Sequence, residues 1–176
     1  AAEGELSQKR TATYARCAAF VAETDPGVVG ARVLDACVEE CGASSGALYA
    51  PAYLGATDYA RVATHGERTR FPALLTQDEL LELDPTRSVV VEREQRGDST
   101  RDVVRVALMG TAELDAVLML ETEQVVSSAL AGLEVVAGLG SAAMTAARRV
   151  DAMARSGIKD PETSAYTFAY FGDVAG

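Results

Sequence analysis

The chain has 176 residues, of which 48% are hydrophobic and 24% charged, a balance typical of one compact globular domain. Its 16 Lys and Arg against 26 Asp and Glu give a net charge of −10, which argues against a nucleic-acid partner and an anionic membrane. No apolar run approaches the roughly 18 residues of a membrane span, and three cysteines, an odd number, indicate reduced thiols in a cytoplasmic protein.

Two helices are predicted at the start of the chain. From Glu5 to Glu23, apolar residues recur at intervals of three or four, as in an amphipathic helix. Asp25 followed by Pro26 is typical of a helix start, with Asp as the N-cap and Pro at the first helical position. The second helix is expected to end near Gly42, which supplies a left-handed cap. Its small residues suit a helix that lies flat on a sheet.

The next segment is predicted to form two paired strands and a crossing. Residues 47–53 and 59–65 have strand character and are separated by turn residues, so we expect a hairpin. Residues 67–87 contain two prolines and are predicted to cross to another part of the sheet. Within them, Thr76 and Glu79 fit a capping box that opens a short helix.

The centre of the predicted sheet is a hairpin between residues 102 and 122. Two alternating runs flank a break at residues 109–112, and Leu114, Ala116, Leu118 and Leu120 fall on the face predicted to be buried. The opposite face, with Arg105, Glu113 and Asp115, is expected to carry little apolar area. Before this hairpin, residues 88–93 are predicted to be a strand and residues 94–101 a solvated loop.

A long helix is predicted from Gln124 to about Arg155, where an apolar interval of three or four persists over several turns. Its many Gly and Ala residues make it thin enough to pack closely on another helix. We predict that it forms a homodimer together with the first helix, and the alternative is packing on its own sheet. The predicted interface residues are Leu130, Leu133, Val136, Leu139, Ala143 and Ala147.

The order of these elements, with the stretches Tyr59–Gly66 and Val104–Leu120, resembles a GAF domain over roughly residues 25–155. The resemblance implies an α+β fold: a mainly antiparallel sheet of five or six strands with helices on one side and long terminal helices. It divides the chain into an N-terminal helix (1–24), a GAF-like core (25–123), a connector helix (124–156) and a linker (157–176).

The resemblance further implies a non-enzymatic regulatory domain of a bacterial signalling protein, which dimerises and senses a small ligand or binds a protein partner. Two departures from the family are visible. Residues 80–88 match poorly the segment that roofs the ligand pocket, and the NKFDE pattern of cyclic-nucleotide-binding members is absent. A degenerate domain that serves only as an interaction or dimerisation platform is therefore the alternative.

Ligands of GAF domains lie between the sheet and the crossing segment. Five residues of this chain are predicted to line that cleft: Tyr49, Tyr59, Arg61, Phe71 and Arg87. An arginine there could pair with a carboxylate or phosphate through two parallel hydrogen bonds. The alternative is that the aromatic residues belong to the core and both arginines lie on the surface.

No catalytic residue, cofactor or metal site is predicted. His65 is the only histidine and reads as an ordinary turn residue, and Cys37 and Cys41 read as small buried hydrophobes. A rival hypothesis is a thiol enzyme resembling the GAF-fold free methionine sulfoxide reductases, which would need an accessible thiolate of low pKa.

The C-terminal tail has a second, weaker resemblance. Residues 159–166, with Phe171, are similar to the D-x-L-T-G-L start of GGDEF diguanylate cyclase domains. Glu162, Ser164 and Ala165 replace the Leu, Gly and Leu of that pattern, and the catalytic signature is absent. The resemblance implies that the parent protein continues into an output domain, to which the long helix would be the connector.

Overall fold

The computed structural model describes residues 2–53, 55–66, 70–83, 86–111 and 113–159. Its helices are α1 (Ala2–Cys17), α2 (Pro26–Cys41), α3 (Gln77–Leu81) and α4 (Ser127–Lys159). Its strands are β1 (Ser45–Pro51), β2 (Tyr59–His65), β3 (Leu74–Leu75), β4 (Val89–Arg96), β5 (Ser99–Met109) and β6 (Leu114–Thr122). The predicted tail resemblance falls, from Asp160 onward, on residues outside this range and stays a prediction.

The strands form one six-stranded sheet in the order β3-β2-β1-β6-β5-β4, and every neighbouring pair is antiparallel. Hairpins connect β1 to β2, β4 to β5 and β5 to β6. The crossing segment carries the chain from one edge of the sheet, at β3, to the other, at β4. The predicted antiparallel sheet is confirmed.

Helices α2 and α4 cover one face of this sheet, which we call the inner face, and α1 packs on these two helices. The core between them contains fully buried side chains from each layer, including Val33 of α2, Leu118 of β6 and Leu133 of α4. Glycine lets α2 and α4 approach closely, because a methyl group added at Gly140 would stand 3.1 Å from Val33 Cγ2. The predicted caps of α2 are present: Asp25 accepts a hydrogen bond from the Gly27 amide, and Gly42 has a φ of 65°.

Among the described residues, one helix is long and apolar enough to cross a membrane, and it lies in α4, from Ser127 to Ser156. The tertiary structure accounts for its composition. Leu133, Val136 and Ala137 of this helix are fully buried against the sheet and α2. Much of the apolar character of α4 therefore belongs to the core of the domain.

The predicted loop at residues 94–101 is wrong, because this stretch is the tip of the β4–β5 hairpin. The two strands pair continuously up to Arg96 and Ser99, and Gly97, with a φ of 57°, lies in the tight turn between them. A run of charged residues is typical of a solvated loop, but it is also compatible with paired strands whose side chains face water. Glu94 faces Arg101 across the pair, so opposite charges meet on strands that water can reach.

The outer face of the sheet is more apolar than predicted. Tyr49, Tyr59, Phe71, Val103 and Val117 form a second buried cluster there, against the crossing segment and α3. Leu114 was predicted for the inner face and packs against this outer cluster instead.

A β-bulge explains the placement of Leu114. Leu108 pairs with Ala116 and Met109 with Leu114, so Asp115 is the extra residue in β6. Beyond a bulge of one residue, each side chain lies on the face of the sheet opposite to the one that simple alternation predicts.

The N-terminal helix is also shorter than predicted. It ends at Cys17 instead of near Glu23, and the chain continues as hydrogen-bonded turns. Phe20 in these turns is fully buried, so this residue still reaches the core.

Candidate functional site

A cleft of about 450 Å³ opens on the outer face of the sheet, between α3 and the adjacent ends of β2, β5 and β6. We call it the outer cleft. Most of its lining is apolar, and one of its side chains, that of Glu113, is acidic. The lining residues are Ala56, Thr57, Tyr59, Gln77, Leu80, Leu81, Leu83, Ala107, Met109, Glu113 and Leu114.

Helix α3 forms one wall of the outer cleft, and its position depends on its N-terminus. The predicted capping box is confirmed: the Glu79 amide donates to Thr76 Oγ1 at 3.3 Å, and the Thr76 amide donates to Glu79 Oε1 at 3.1 Å. The Gln77 amide also donates to Asp58 Oδ1 at 3.1 Å. The Gln77–Asp58 bond ties α3 to the β1–β2 connection, whose residues Ala56 and Thr57 also line the cleft.

Tyr59 lies on the floor of the outer cleft and is 8% exposed. Its hydroxyl donates a hydrogen bond to the carbonyl of Leu114, which joins β2 to the start of β6. Burial raises the pKa of this phenol, and the carboxylates of Glu113 and Asp115 raise it further. Tyr59 is therefore a neutral hydroxyl at physiological pH.

The electrostatic character of the cleft does not match the hypothesis that an arginine there could pair with a carboxylate or phosphate. No Lys, Arg or His is among the residues that line it. The pKa of the Asp115 carboxyl, just behind the wall, is raised by burial, lowered by Arg148 and raised by Glu113. The cleft thus offers apolar contact, neutral polar groups and negative charge.

Of the five predicted ligand residues, Tyr59 alone lines the outer cleft. Tyr49 is fully buried, its hydroxyl donates to the Pro72 carbonyl at 2.7 Å, and burial raises its pKa to about 12. Arg61 Nη1 donates to the Phe71 carbonyl at 2.5 Å. These residues hold the crossing segment on the sheet. Arg87 is exposed and borders a separate cavity of only about 20 Å³.

Arg70, which the sequence reading did not single out, fixes the crossing segment at the far end of the same face. Its guanidinium lies 5.5 Å from the centroid of the Phe71 ring and is 2.8 Å from Glu121 and 3.1 Å from Glu94. Arg96 and Arg101 also approach Glu121, at 3.9 and 3.8 Å. The strand alternation of β6 was the available signal, since it places Glu121 on the outer face.

The sequence reading also missed the connections from the cleft to α4. Arg148 of α4 forms an ion pair with Asp115 of β6, with Nε and Oδ1 3.4 Å apart, and donates to the Asp115 carbonyl at 3.2 Å. The amide of Met109, a cleft residue, donates to Ser141 Oγ of α4 at 3.1 Å. No sequence signal identifies these pairs, because their members are more than 30 residues apart in the chain.

The predicted dimer residues lie mainly inside the single chain. Leu133, Val136, Ala143 and Ala147 are buried in the inner core. Leu130 and Leu139 are partly buried and pack against the same core. The first four therefore have almost no surface to offer a second chain, and packing on the chain's own sheet explains their spacing.

Other apolar residues on the terminal helices are exposed. Tyr14 of α1 is 57% exposed, and Val150 and Met153 near the end of α4 are 47% and 73% exposed. A groove of about 280 Å³ also runs between α1 and α4, lined by residues that include Tyr14, Ala131 and Val135. These surfaces replace the predicted ones as candidates for a helical interface.

The thiols do not form a reactive site. Cys17, Cys37 and Cys41 are free and buried, as predicted for the last two. Burial raises the pKa of all three, and that of Cys41 reaches about 11. No group of three or more His, Cys, Asp or Glu residues suited to a metal ion occurs within the part of the chain that the structure describes.

No protein-family model matches the sequence, and it has no significant similarity to a curated protein. Solved structures with the same fold are found. The GAF domain from Acinetobacter phosphoenolpyruvate-protein phosphotransferase is 11% identical, with a TM-score of 0.60 over 82% of this chain and 97% of that one. The second GAF domain of DevS from Mycobacterium smegmatis is 16% identical, with a TM-score of 0.53 over 75% and 99%.

A third structural relative is an enzyme. Free methionine-R-sulfoxide reductase from Neisseria meningitidis, solved with its substrate, is 13% identical, with a TM-score of 0.61 over 82% of this chain and 93% of that one. At these identities the likeness concerns the fold alone, and the fold is that of a GAF domain.

Proposed function

We propose that this chain, which has the GAF fold, is a non-enzymatic regulatory domain that binds a small, mainly apolar and non-anionic molecule in the outer cleft. It acts as a homodimer through exposed surfaces of its terminal helices, in the cytoplasm and as part of a bacterial signalling protein. A ligand regulates such a domain by binding two arrangements of it with different affinity.

The observation that carries the proposal is the outer cleft itself. Its volume of about 450 Å³ lies in the range of small-molecule sites, and its lining combines apolar side chains with a few polar groups. No cation among its lining residues would neutralise a phosphate or a carboxylate, and a buried charge without a partner is costly. Glu113 at its edge would instead favour a neutral or cationic ligand.

The state of the thiols supports a non-enzymatic role over the rival thiol enzyme. Thiol chemistry begins from an accessible thiolate, whereas burial keeps Cys17, Cys37 and Cys41 protonated. The test is an assay of the purified protein with free methionine sulfoxide and a dithiol reductant. We expect no turnover, and turnover that the substitution Cys37→Ser or Cys41→Ser abolishes would overturn the non-enzymatic role.

The ligand class is tested by thermal unfolding of the protein with a panel of small neutral, cationic and anionic aromatic compounds. We expect neutral and cationic members to raise the unfolding temperature and anionic members of the same size to leave it unchanged. In the variant Ala107→Phe, which adds a ring to the floor of the outer cleft, the increase should disappear. Val62→Phe, at an exposed position of β2 outside the lining, is the matched control and should retain it.

The second candidate is a platform for dimerisation or protein interaction that binds no small molecule. The tight packing of Tyr49 and Phe71 on the outer face favours it, because these rings fill space beside the cleft. The two candidates give different results in native mass spectrometry of freshly purified protein. A retained small molecule supports the sensor, whereas a dimer without one, together with an unresponsive panel, supports the platform.

A further inference from the structure

The wall of the outer cleft nearest α4 is the bulged turn between β5 and β6. Met109 ends β5, Glu113 and Leu114 begin the return, and all three line the cleft. The amide of Gly110 donates to the carbonyl of Glu113 at 2.7 Å, which closes the turn. A molecule in the cleft therefore touches this turn directly.

The turn and the adjacent bulge behave as one packed unit. The Asp115 carboxylate lies against the backbone of Gly110, where an added methyl group would stand 2.8 Å from Oδ2 and 3.0 Å from Oδ1. On the cleft side, the Tyr59 hydroxyl donates to the Leu114 carbonyl, one residue before Asp115. Because Leu114 and Asp115 are adjacent in the chain and Asp115 packs on Gly110, a displacement of Leu114 also moves Asp115.

Two contacts join this unit to α4 at positions two turns apart on the helix. Arg148 holds both the carboxylate and the carbonyl of Asp115, at 3.4 and 3.2 Å. Ser141 Oγ accepts the amide of Met109 at 3.1 Å. The Asp115 side chain is 12% exposed, so water screens this ion pair less than an open surface pair.

The position of Arg148 along α4 is the decisive feature. Ala147, immediately before it, is 1% exposed and belongs to the inner core. From Arg149 to Ser156 the helix is largely exposed, with Val150 at 47% and Met153 at 73%. Arg148 therefore binds the bulge at the point where α4 leaves the body of the domain.

We propose that the bulged β5–β6 turn, through Asp115–Arg148 and Met109–Ser141, transmits occupancy of the outer cleft to α4 at residues 141–148, where the helix leaves the body of the domain. This inference rests on the proposed sensory function and names its route. An occupant that packs on Met109 and Leu114 holds the turn in one position. The turn then keeps its two contacts with α4, at Ser141 and Arg148, for a larger fraction of the time. Arg148 is a positioning residue in this scheme, since it does not line the cleft.

The test attaches an apolar group covalently to the wall of the outer cleft. A cysteine introduced by Leu81→Cys, at a 74% exposed position on the cleft's wall, is labelled with benzyl methanethiosulfonate, which attaches a benzyl group through a disulfide. The three native thiols are buried, so labelling is selective. Amide hydrogen exchange is then compared in the same protein before labelling, after labelling and after reduction.

We expect labelling to slow amide exchange at Tyr59 and Leu114, which report on the cleft. We also expect it to slow exchange at residues 141–148 of α4, by about threefold or more. Adding Arg148→Met should abolish the effect on α4 and leave that on the cleft, because the methionine keeps an apolar stem without a guanidinium. Arg148→Lys should restore part of it. Labelling of Val62→Cys, an exposed residue outside the cleft, is the matched control and should change neither region.

The outcomes separate the two proposals. Slower exchange at the cleft with unchanged α4, or an α4 response that persists in Arg148→Met, overturns the coupling and leaves the cleft intact. Unchanged exchange at Tyr59 and Leu114 after complete labelling shows that the cleft does not hold an apolar group. That result overturns the proposed ligand site, and the coupling with it.

Discussion

Gly132 of α4 is required because the carboxylate of Glu40 occupies the space where a side chain would lie. Glu40 reaches across from α2 to bind α1, where Thr13 Oγ1 donates to Oε1 at 2.9 Å and Arg16 pairs with Oε2. Its side chain is only 5% exposed. One buried acid thus joins α2 to α1, and it can lie between them and α4 because α4 has no side chain at this point.

The substitution Gly132→Ala should therefore loosen α1. Its methyl group would overlap Glu40 Oε1, so the carboxylate must leave Thr13 or Arg16, and we expect the free energy of unfolding to fall by about 1–3 kcal/mol. Urea denaturation measures the change, and hydrogen exchange of α1 locates it. Gly138→Ala is the control, because nothing lies within 4 Å of a methyl group there. It should raise stability by up to about 1 kcal/mol through helix propensity, and equal effects of the two variants would contradict the mechanism.

A second residue-scale prediction concerns alkaline pH. Burial raises the pKa of the Cys41 thiol from its ordinary 9.0 to about 11, so the folded protein keeps a proton that the unfolded chain releases in this interval. Stability is therefore complete below about pH 9 and declines as the pH rises toward 11, by about 2–3 kcal/mol in total for this thiol.

Urea denaturation at several pH values checks the decline. Cys41→Ala removes this thiol and should flatten the profile, while the decline that Cys37 causes for the same reason remains. Identical pH profiles for the two proteins would refute the assignment.

At the scale of elements, the short helix α3 depends mainly on hydrogen bonds at its N-terminus, because only Leu80 of this helix packs, partly buried, against the outer face. None of its residues is buried, whereas the capping box and the Gln77–Asp58 bond satisfy its first amides. A five-residue helix has little stability of its own, so these few bonds decide whether the wall of the outer cleft is in place.

Thr76→Ala should for this reason open the cleft without unfolding the domain. Loss of an N-cap costs about 0.5–2 kcal/mol, and here we expect it as faster amide exchange in residues 77–81, with the urea midpoint of the whole protein nearly unchanged. Thr57→Ala, which removes a hydroxyl elsewhere in the lining of the cleft, is the matched control and should leave exchange in α3 as it was. A large drop in global stability would show that α3 is part of the cooperative core instead.

At the scale of the whole molecule, α4 has a buried part and an exposed part. The part up to Ala147 is an inner-core element, whereas Val150 and Met153 face solvent with nothing of this chain over them among the described residues. With Tyr14 of α1, these exposed side chains are the surfaces on which the proposed dimer depends.

Met153→Glu should accordingly weaken self-association without affecting folding. We expect the dimer dissociation constant, measured by sedimentation at several micromolar concentrations, to rise by about tenfold or more. Leu81→Glu on α3 is a closely matched control, because the two side chains are 74% and 73% exposed. If both variants sediment as the unsubstituted protein does, the interface lies elsewhere. If the unsubstituted protein is a monomer, the interface is absent.

The sequence alone determined those features that depend on neighbouring residues. The Asp25–Pro26 start of α2, the Thr76–Glu79 capping box and the bounds of β2 each follow from local hydrogen bonding or alternation, and all three are confirmed. The element order was sufficient to indicate the GAF fold, because connections between consecutive elements are short and few topologies satisfy them.

Other features were decided only by the tertiary structure. Periodicity shows that Leu133 and Val136 lie on the apolar face of α4. It does not show whether the chain's own sheet or a second chain covers that face. The extra residue Asp115 in β6 changed the facing of Leu114, and an inserted residue leaves no mark on composition.

The candidate site was the least predictable part for the same physical reason. A pocket exists where packing is incomplete, and that depends on how Tyr59, α3 and the β5–β6 turn meet in space. Arg148 and Asp115 are distant in the chain and become partners only because α4 crosses the sheet at that bulge.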